Sequence, residues 1–216
     1  ARLGSQYVTG NPGGGCDLAL TLHDGRGRWK ADGAATMTTS DLDPFYGFAG
    51  TWAIALRGRD GLPVLVAGGD ELAFDADGVA ARVAVPVIEV RPDPTSDTIT
   101  GHASPNAPID IEIERAVAGR VVARASAKTR AGDDAAYAHT VMDFDLRAGD
   151  DVEVTVPTPA GHRVSARAFA PWLELRMDLG ALGGGLPPAA VLDAEIRRDG
   201  RTIGTARCVA NEKGAL

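Results

Sequence analysis

Four histidines and 29 acidic residues are the groups in this 216-residue chain with the chemistry to move protons or hold metals. His23, His102, His139 and His162 form neither an HxH nor an HxxxH pair. A metal centre needs three or four convergent ligands, so these side chains read as surface residues and no metal is expected. The acids cluster in short turns: "DLD" (41–43), "DADG" (75–78), "DFD" (143–145) and "GDD" (149–151). "DADG" has half the spacing of an EF-hand loop but lacks its later Glu, and bound calcium takes six or more oxygens. Asp and Gly are also what tight hairpins require, and the sequence leaves open whether Asp75–Asp77 holds calcium.

The glycine-rich stretches "GNPGGG" and "GALGGG" could cradle phosphate only by opening a helix. Each instead opens a strand-like run. There is no GxSxG elbow, the turn that lifts a nucleophilic serine from a sheet. Cys16 and Cys208 sit in no CxxC pair and read as small apolar residues, their redox state open. No catalytic residue and no cofactor are assigned.

Of the aromatics, Phe45, Tyr46, Phe48 and Trp52 crowd into "PFYGFAGTW". Such a platform could stack on sugar rings or anchor a protein partner. The plainer reading is that Tyr46 is an ordinary strand residue and the others cover a core.

The formal net charge is -7, and the arginines form no stripe. Such a surface repels a phosphate backbone, so nucleic acid is excluded as a partner. No apolar run reaches the length of a membrane span.

What must position these residues is a repeat. Subtracting 91 from "ITGHASPNAPIDIEIER" (99–115) brings Gly101 onto Gly10, and Ile109, Ile111 and Ile113 onto Leu18, Leu20 and Leu22. The match continues to Thr129 on Thr38, Asp134 on Asp43 and Tyr137 on Tyr46. Adding 83 brings Gly101 onto Gly184, Pro105 onto Pro188, Ile109 onto Leu192 and Ile113 onto Ile196. Further on, "AGDDVEVTV" (148–156) matches "GGDELAFDA" (68–76), and "RAFAPWLELRMD" matches "RVAVPVIEVRPD". Ordered self-similarity of this kind marks a tandem array.

Each copy is written in strands. "IDIEIE", "VEVTV" and "LALTL" alternate apolar and polar residues, which sends one face to a core and one to water. Turn chemistry separates them, and no helical period of ten residues or more is present. The middle copy predicts strands at 86–91, 98–101, 108–115, 119–128, 136–145, 151–157 and 162–170. About seven short strands in one copy indicate a two-sheet antiparallel sandwich.

The positions Gly101, Pro105, Asn106, Thr129, Tyr137, Leu146, Gly149 and Asp150 carry a resemblance. The run is similar to the tandem Ig-like or carboxypeptidase-regulatory-like β-sandwich repeats of bacterial surface and secreted proteins. The expected fold is therefore all-β, as tandem Ig-like antiparallel β-sandwich repeats. The expected units are 1–85, its first strand incomplete and a long hairpin inserted near 48–68; 86–170; and 171–216, a partial unit truncated or completed by another chain. The chain opens on Ala rather than Met, which fits a piece of something longer.

The joints between units fall on the repeated phrase, at Pro86, Glu89 and Arg91 and again at Pro171, Trp172, Glu174 and Arg176. In the second copy Leu173 and Leu175 should face a core, as Ile88 and Val90 do in the first. The function this implies is a non-catalytic structural and interaction module, extracellular or at the cell surface. Its partners would be neighbouring repeats or other copies of the chain, joined head to tail by strand addition. The alternative is a carbohydrate-binding module that uses the aromatic cluster to hold a glycan.

Overall fold

The computed structural model describes residues 1–10, 17–36, 52–117, 120–176, 181–186 and 190–210. Every regular element among them is a β-strand. The middle of the chain holds β7 (Arg91–Asp93), β8 (Thr98–His102), β9 (Pro108–Val117), β10 (Arg120–Arg130), β11 (Ala136–Thr140), β12 (Asp151–Pro157) and β13 (Arg163–Phe169). They form a four-stranded sheet, β10-β9-β12-β13, and a three-stranded sheet, β11-β8-β7, antiparallel throughout. Ile109, Ile111 and Ile113 on β9 and Val152, Val154 and Val156 on β12 are essentially inaccessible to solvent. They meet Ile99 and Tyr137 from the second sheet in one core. Each such aliphatic side chain contributes about 1.5–3 kcal/mol by leaving water, and the two-residue period of a strand puts them all on one side.

The first part of the chain repeats this order. It comprises β1 (Tyr7–Gly10), β2 (Asp17–His23), β3 (Trp29–Thr36), β4 (Trp52–Ala55), β5 (Glu71–Ala76) and β6 (Val79–Ala84). The sheet β3-β2-β5-β6 matches β10-β9-β12-β13, and β1-β4 forms the facing pair. Leu18, Leu20 and Leu22 are buried against Val8, Ile54 and Leu56. Between Leu56 and Val64 the chain doubles back on itself, with Gly58 N–H donating to the Leu62 carbonyl at 2.9 Å. The last part contains β14 (Trp172–Arg176), β15 (Ala181–Gly185), β16 (Val191–Arg198) and β17 (Arg201–Val209). Among the described residues these make two separate hairpins, β14-β15 and β16-β17.

Three expectations need correction. The strand expected at 86–91 is instead the short β7. Pro86 has no N–H to donate, and residues 86–90 lie over β8 with Glu89 N–H bonded to the His102 carbonyl at 2.9 Å. The strand expected at 136–145 stops at Thr140. Asp97 draws the chain away there: its carbonyl takes Val141 N–H and its carboxylate takes Leu146 N–H, both at 2.8 Å. Leu173 does not face a core and is 52% exposed. Its cross-strand partner is Gly184, which has no side chain to pack against it.

The hairpins β2-β3, β9-β10 and β16-β17 carry the same irregularity. The register skips one residue on the second strand: Lys30 on β3, Val122 on β10 and Ile203 on β17. A bulge of this kind twists a hairpin and re-aims one side chain.

Candidate functional site at the joint

A Gly-Asp turn stands ahead of β5 and again ahead of β12. Gly69 and Gly149 lie at φ +87° and +88°, a conformation that glycine adopts without strain. Gly69 N–H donates to the Val85 carbonyl and Val85 N–H to the Asp70 carbonyl, each at 2.8 Å. Gly149 and Asp150 hold Ala170 through the same two bonds, at 2.9 and 2.8 Å. Val85 and Ala170 are buried, and each immediately precedes the proline of the repeated phrase, Pro86 or Pro171. The turn therefore fixes where the next part of the chain departs.

The two aspartates are buried and paired. Asp70 takes Lys30 Nζ at 2.6 Å and Ala67 N–H at 2.8 Å. Asp150 takes Arg115 Nε at 2.8 Å and Nη2 at 2.6 Å, and Arg147 N–H at 2.7 Å. These bonds hold the Arg115 guanidinium above its ordinary range, with the side-chain hydrogen bond to Asp150 as the main cause. The acid recurs in register but its cation does not. Lys30 is the bulged residue of β3, whereas Arg115 comes from β9, one strand over.

A second contact fixes the segment after Pro86. Tyr137 Oη donates to the Glu89 carbonyl at 2.7 Å. Burial pushes the Tyr137 hydroxyl well above the ordinary tyrosine range, and the neighbouring Glu89 charge adds to this. A Cβ at position 101 would overlap that same Glu89 carbonyl, so only glycine admits the close approach. The Glu89 side chain pairs with Arg91 at 2.7 Å and lies 3.3 Å from His102 Nδ1. All three side chains are largely exposed, so this is a surface cluster.

Residues 1–3 reach the four-stranded sheet of the middle sandwich. They lie parallel to the outer edge of β13: Ala1 N to the Arg163 carbonyl at 3.0 Å, Ser165 N–H to the Ala1 carbonyl at 2.9 Å, and Leu3 N–H to the Ser165 carbonyl at 2.7 Å. Arg2 Nη2 meets Glu153 at 2.7 Å. The chain then turns back, and Gly4 and Ser5 pair with Val66. Phe74 stacks on His162 with ring centres 6.0 Å apart. Beside this ladder lies a cleft of about 630 Å³, lined in part by Ala1, Arg2, Ser5, Ala53, Glu153 and Arg163.

Glu89 and Arg91 meet on β8, and Pro86 is half-buried behind Val85. Pro171 is half-buried behind Ala170, and the Trp172 indole lies against Gly149 and Gly185. Glu174 and Arg176 sit on β14, but their side chains lie outside the described residues. Phe45, Tyr46 and Phe48 lie outside the described residues, as does the side chain of Trp52, whose backbone pairs with Gly10. Cys16 also lies outside them, and Cys208 is a free, half-buried thiol.

The acids of the "DADG" turn serve its backbone. Asp75 takes Gly78 N–H at 2.9 Å and Asp77 takes Asp17 N–H at 3.1 Å. Asp77 and Gly78 both have positive φ, the geometry of a two-residue hairpin. Sequence reasoning missed residues 1–3, Lys30 and Arg115. The repeated Gly-Asp at 69–70 and 149–150 was the available signal for the clamp.

No family model matches the chain, and no curated protein matches it. Among solved structures, a tetra-tandem repeat from the extending region of a large adhesion protein is similar at 18% identity and a TM-score of 0.27. That match covers 97% of this chain and 60% of the other, so the chain spans under two thirds of that structure. Part of a 1.5-MDa bacterial ice-binding adhesin is similar at 13% identity and a TM-score of 0.26, covering 97% of this chain and 77% of that one. The CD2-binding domain of CD58 is similar at 9% identity and a TM-score of 0.21, covering 79% and 93%. Scores this low carry no argument about this chain. No helix among the described residues is long and apolar enough to cross a membrane.

Proposed function

We infer that this chain is a non-catalytic, extracellular structural and interaction module of a larger bacterial surface or filament-forming protein. In this reading Ig-like sandwiches occupy 1–85 and 86–170, a partial unit occupies 171–216, and assembly runs head to tail by strand addition. The observation that supports it most is the joint. The same Gly-Asp turn clamps Val85 and Ala170, and a strand ladder lays residues 1–3 on β13. A tandem spacer needs its neighbouring units held in a fixed relation, and these contacts supply one. The alternative, a glycan-binding module built on Phe45, Tyr46, Phe48 and Trp52, rests on side chains outside the described residues, and nothing observed favours it.

Single-molecule stretching of the whole chain between its ends tests this reading. Two discrete unfolding events are expected. Each should release about 85 residues, or roughly 300 Å of contour length at about 3.5 Å per residue. Smooth extension without such events would overturn the spacer reading.

A further inference from the structure

The four-stranded sheet of the middle sandwich has two edges, and they are treated differently. The β13 edge is taken at Arg163–Ser165 by residues 1–3. The β10 edge carries no strand among the described residues. Beyond its bulge at Val122, β10 reads "ARASAKTR". Its outward side chains are Arg124, Ser126, Lys128 and Arg130, and its inward ones are the small Ala125, Ala127 and Thr129. Basic side chains on an edge repel another edge of the same kind, so β10 is closed to its own likeness and open to an acidic strand.

A strand with two outward acids, and an edge unpaired among the described residues, exists in the same chain. β16 stands where β9 stands in the middle copy, yet among the described residues it pairs with β17 alone. Ile113 is 1% exposed on β9, whereas its equivalent Ile196 is 52% exposed on β16. The outward side chains of β16 are Asp193, Glu195 and Arg197.

We propose that the free edge of β16 pairs with the β10 edge of a second copy of this chain, antiparallel, with Lys128 opposite Glu195. That register sets Arg130 opposite Asp193 and the neutral Ser126 opposite Arg197, while Arg124 falls beyond the end of β16, at its Asp199-Gly200 turn. On the inner face it sets Ala127 opposite Ile196, a small residue against a large one, and Ala125 opposite Arg198, the last residue of β16. The two charged pairs of this register, Lys128 with Glu195 and Arg130 with Asp193, are opposite in sign, and opposite charges directly across a ladder stabilise it. The contact joins two different surfaces, so it propagates head to tail instead of closing into a symmetric dimer. The inference rests on the module reading above and names its interface.

The test is sedimentation velocity of the full chain over a rising concentration series, with wild type, Lys128→Glu, Glu195→Lys and the double exchange. Wild type should self-associate, and each single reversal should weaken association by about tenfold by placing like charges across the ladder. The double exchange should restore it to within about threefold, as coupled pairs do. Hydrogen exchange of the wild type should slow at β10 and β16 amides as concentration rises, a readout independent of whether the variants fold. A monomer at all concentrations, association indifferent to both reversals, or a double exchange no better than the singles would each overturn the pairing. A monomeric chain that still unfolds in two discrete steps would sink this interface and leave the spacer reading standing.

Discussion

Asp150→Ala removes the centre of the clamp between the middle sandwich and the residues that follow it. The Asp150 side chain is 2% exposed and that of Arg115 is 19% exposed. Alanine would leave a guanidinium without its carboxylate and Arg147 N–H without its acceptor. Removing one partner of a buried ion pair costs about 3–5 kcal/mol. Arg115 keeps the Asp145 carbonyl at 2.6 Å and the Phe144 ring at 4.8 Å, which places the cost near the lower end, about 3 kcal/mol. The matching Asp70→Ala frees Lys30, which is 27% exposed and on a flexible stem. A lysine so placed turns its charge to water, so the cost there is about 2 kcal/mol or less. Urea denaturation followed by hydrogen exchange, with peptides assigned to each sandwich, separates the two. At an m-value of about 1 kcal/mol/M for a unit this small, 3 kcal/mol moves the midpoint by about 3 M. Asp150→Asn keeps an acceptor for Arg147 N–H and should fall between wild type and alanine. A cost under about 1 kcal/mol for Asp150→Ala would refute the reasoning, since that is the value of an exposed ion pair.

Tyr137→Phe deletes the donor that holds the Glu89 carbonyl and should cost about 1–2 kcal/mol, with faster exchange at Glu89 N–H; unchanged exchange there would show that the hydroxyl does not hold this segment. Asp24 accepts Arg28 and Arg26 N–H and the Arg28 guanidinium, and its carboxyl is lowered from the ordinary 3.8 to about 2, mainly by the Arg28 N–H bond and next by the Arg28 side chain. A depressed acid stabilises the fold above its unfolded value and loses that contribution as pH falls from about 4 through about 2. Carboxyl NMR should therefore show a midpoint near 2 for Asp24, and Arg28→Ala should raise it only part of the way to 3.8, because the backbone donor remains.

What the sequence made legible follows the strand period. Ile109, Ile111 and Ile113, like Val152, Val154 and Val156, alternate with polar residues and are buried where that alternation points. The turn glycines and aspartates at 77–78 and 199–200 have the positive φ that their residue types favour. The register bulges at Lys30, Val122 and Ile203 were not legible, since Lys, Val and Ile share no property that calls for one. Asp70 and Asp150 were visible as repeated turn acids, but their cations come from non-equivalent strands, so no offset relates Lys30 to Arg115. The pairing of residues 1–3 with β13 joins positions more than 150 apart, and no local pattern carries such a contact.

The outer face of the middle sheet shows why that long-range contact matters to the sandwich that receives it. Its strands form columns of charge: Arg124 and Lys128 on β10, Asp110, Glu112 and Glu114 on β9, Asp151 and Glu153 on β12, and Arg163 and Arg167 on β13. Two acidic columns lie side by side, with Glu112 directly opposite Glu153. Like charges so placed destabilise a ladder. The flanking basic columns relieve the rest of the face, through Arg124 on Glu114, Arg163 on Asp110 and Arg167 on Asp151. Glu153 faces Arg167 across the ladder and pairs with Arg2, from the segment that precedes the first sandwich. Residues 1–3 thus add a second cation beside Glu153, and the same segment covers part of the β13 edge that would otherwise invite a foreign strand. Joining and stabilising are one contact here, which ties the stability of the middle sandwich to the presence of the residues before it.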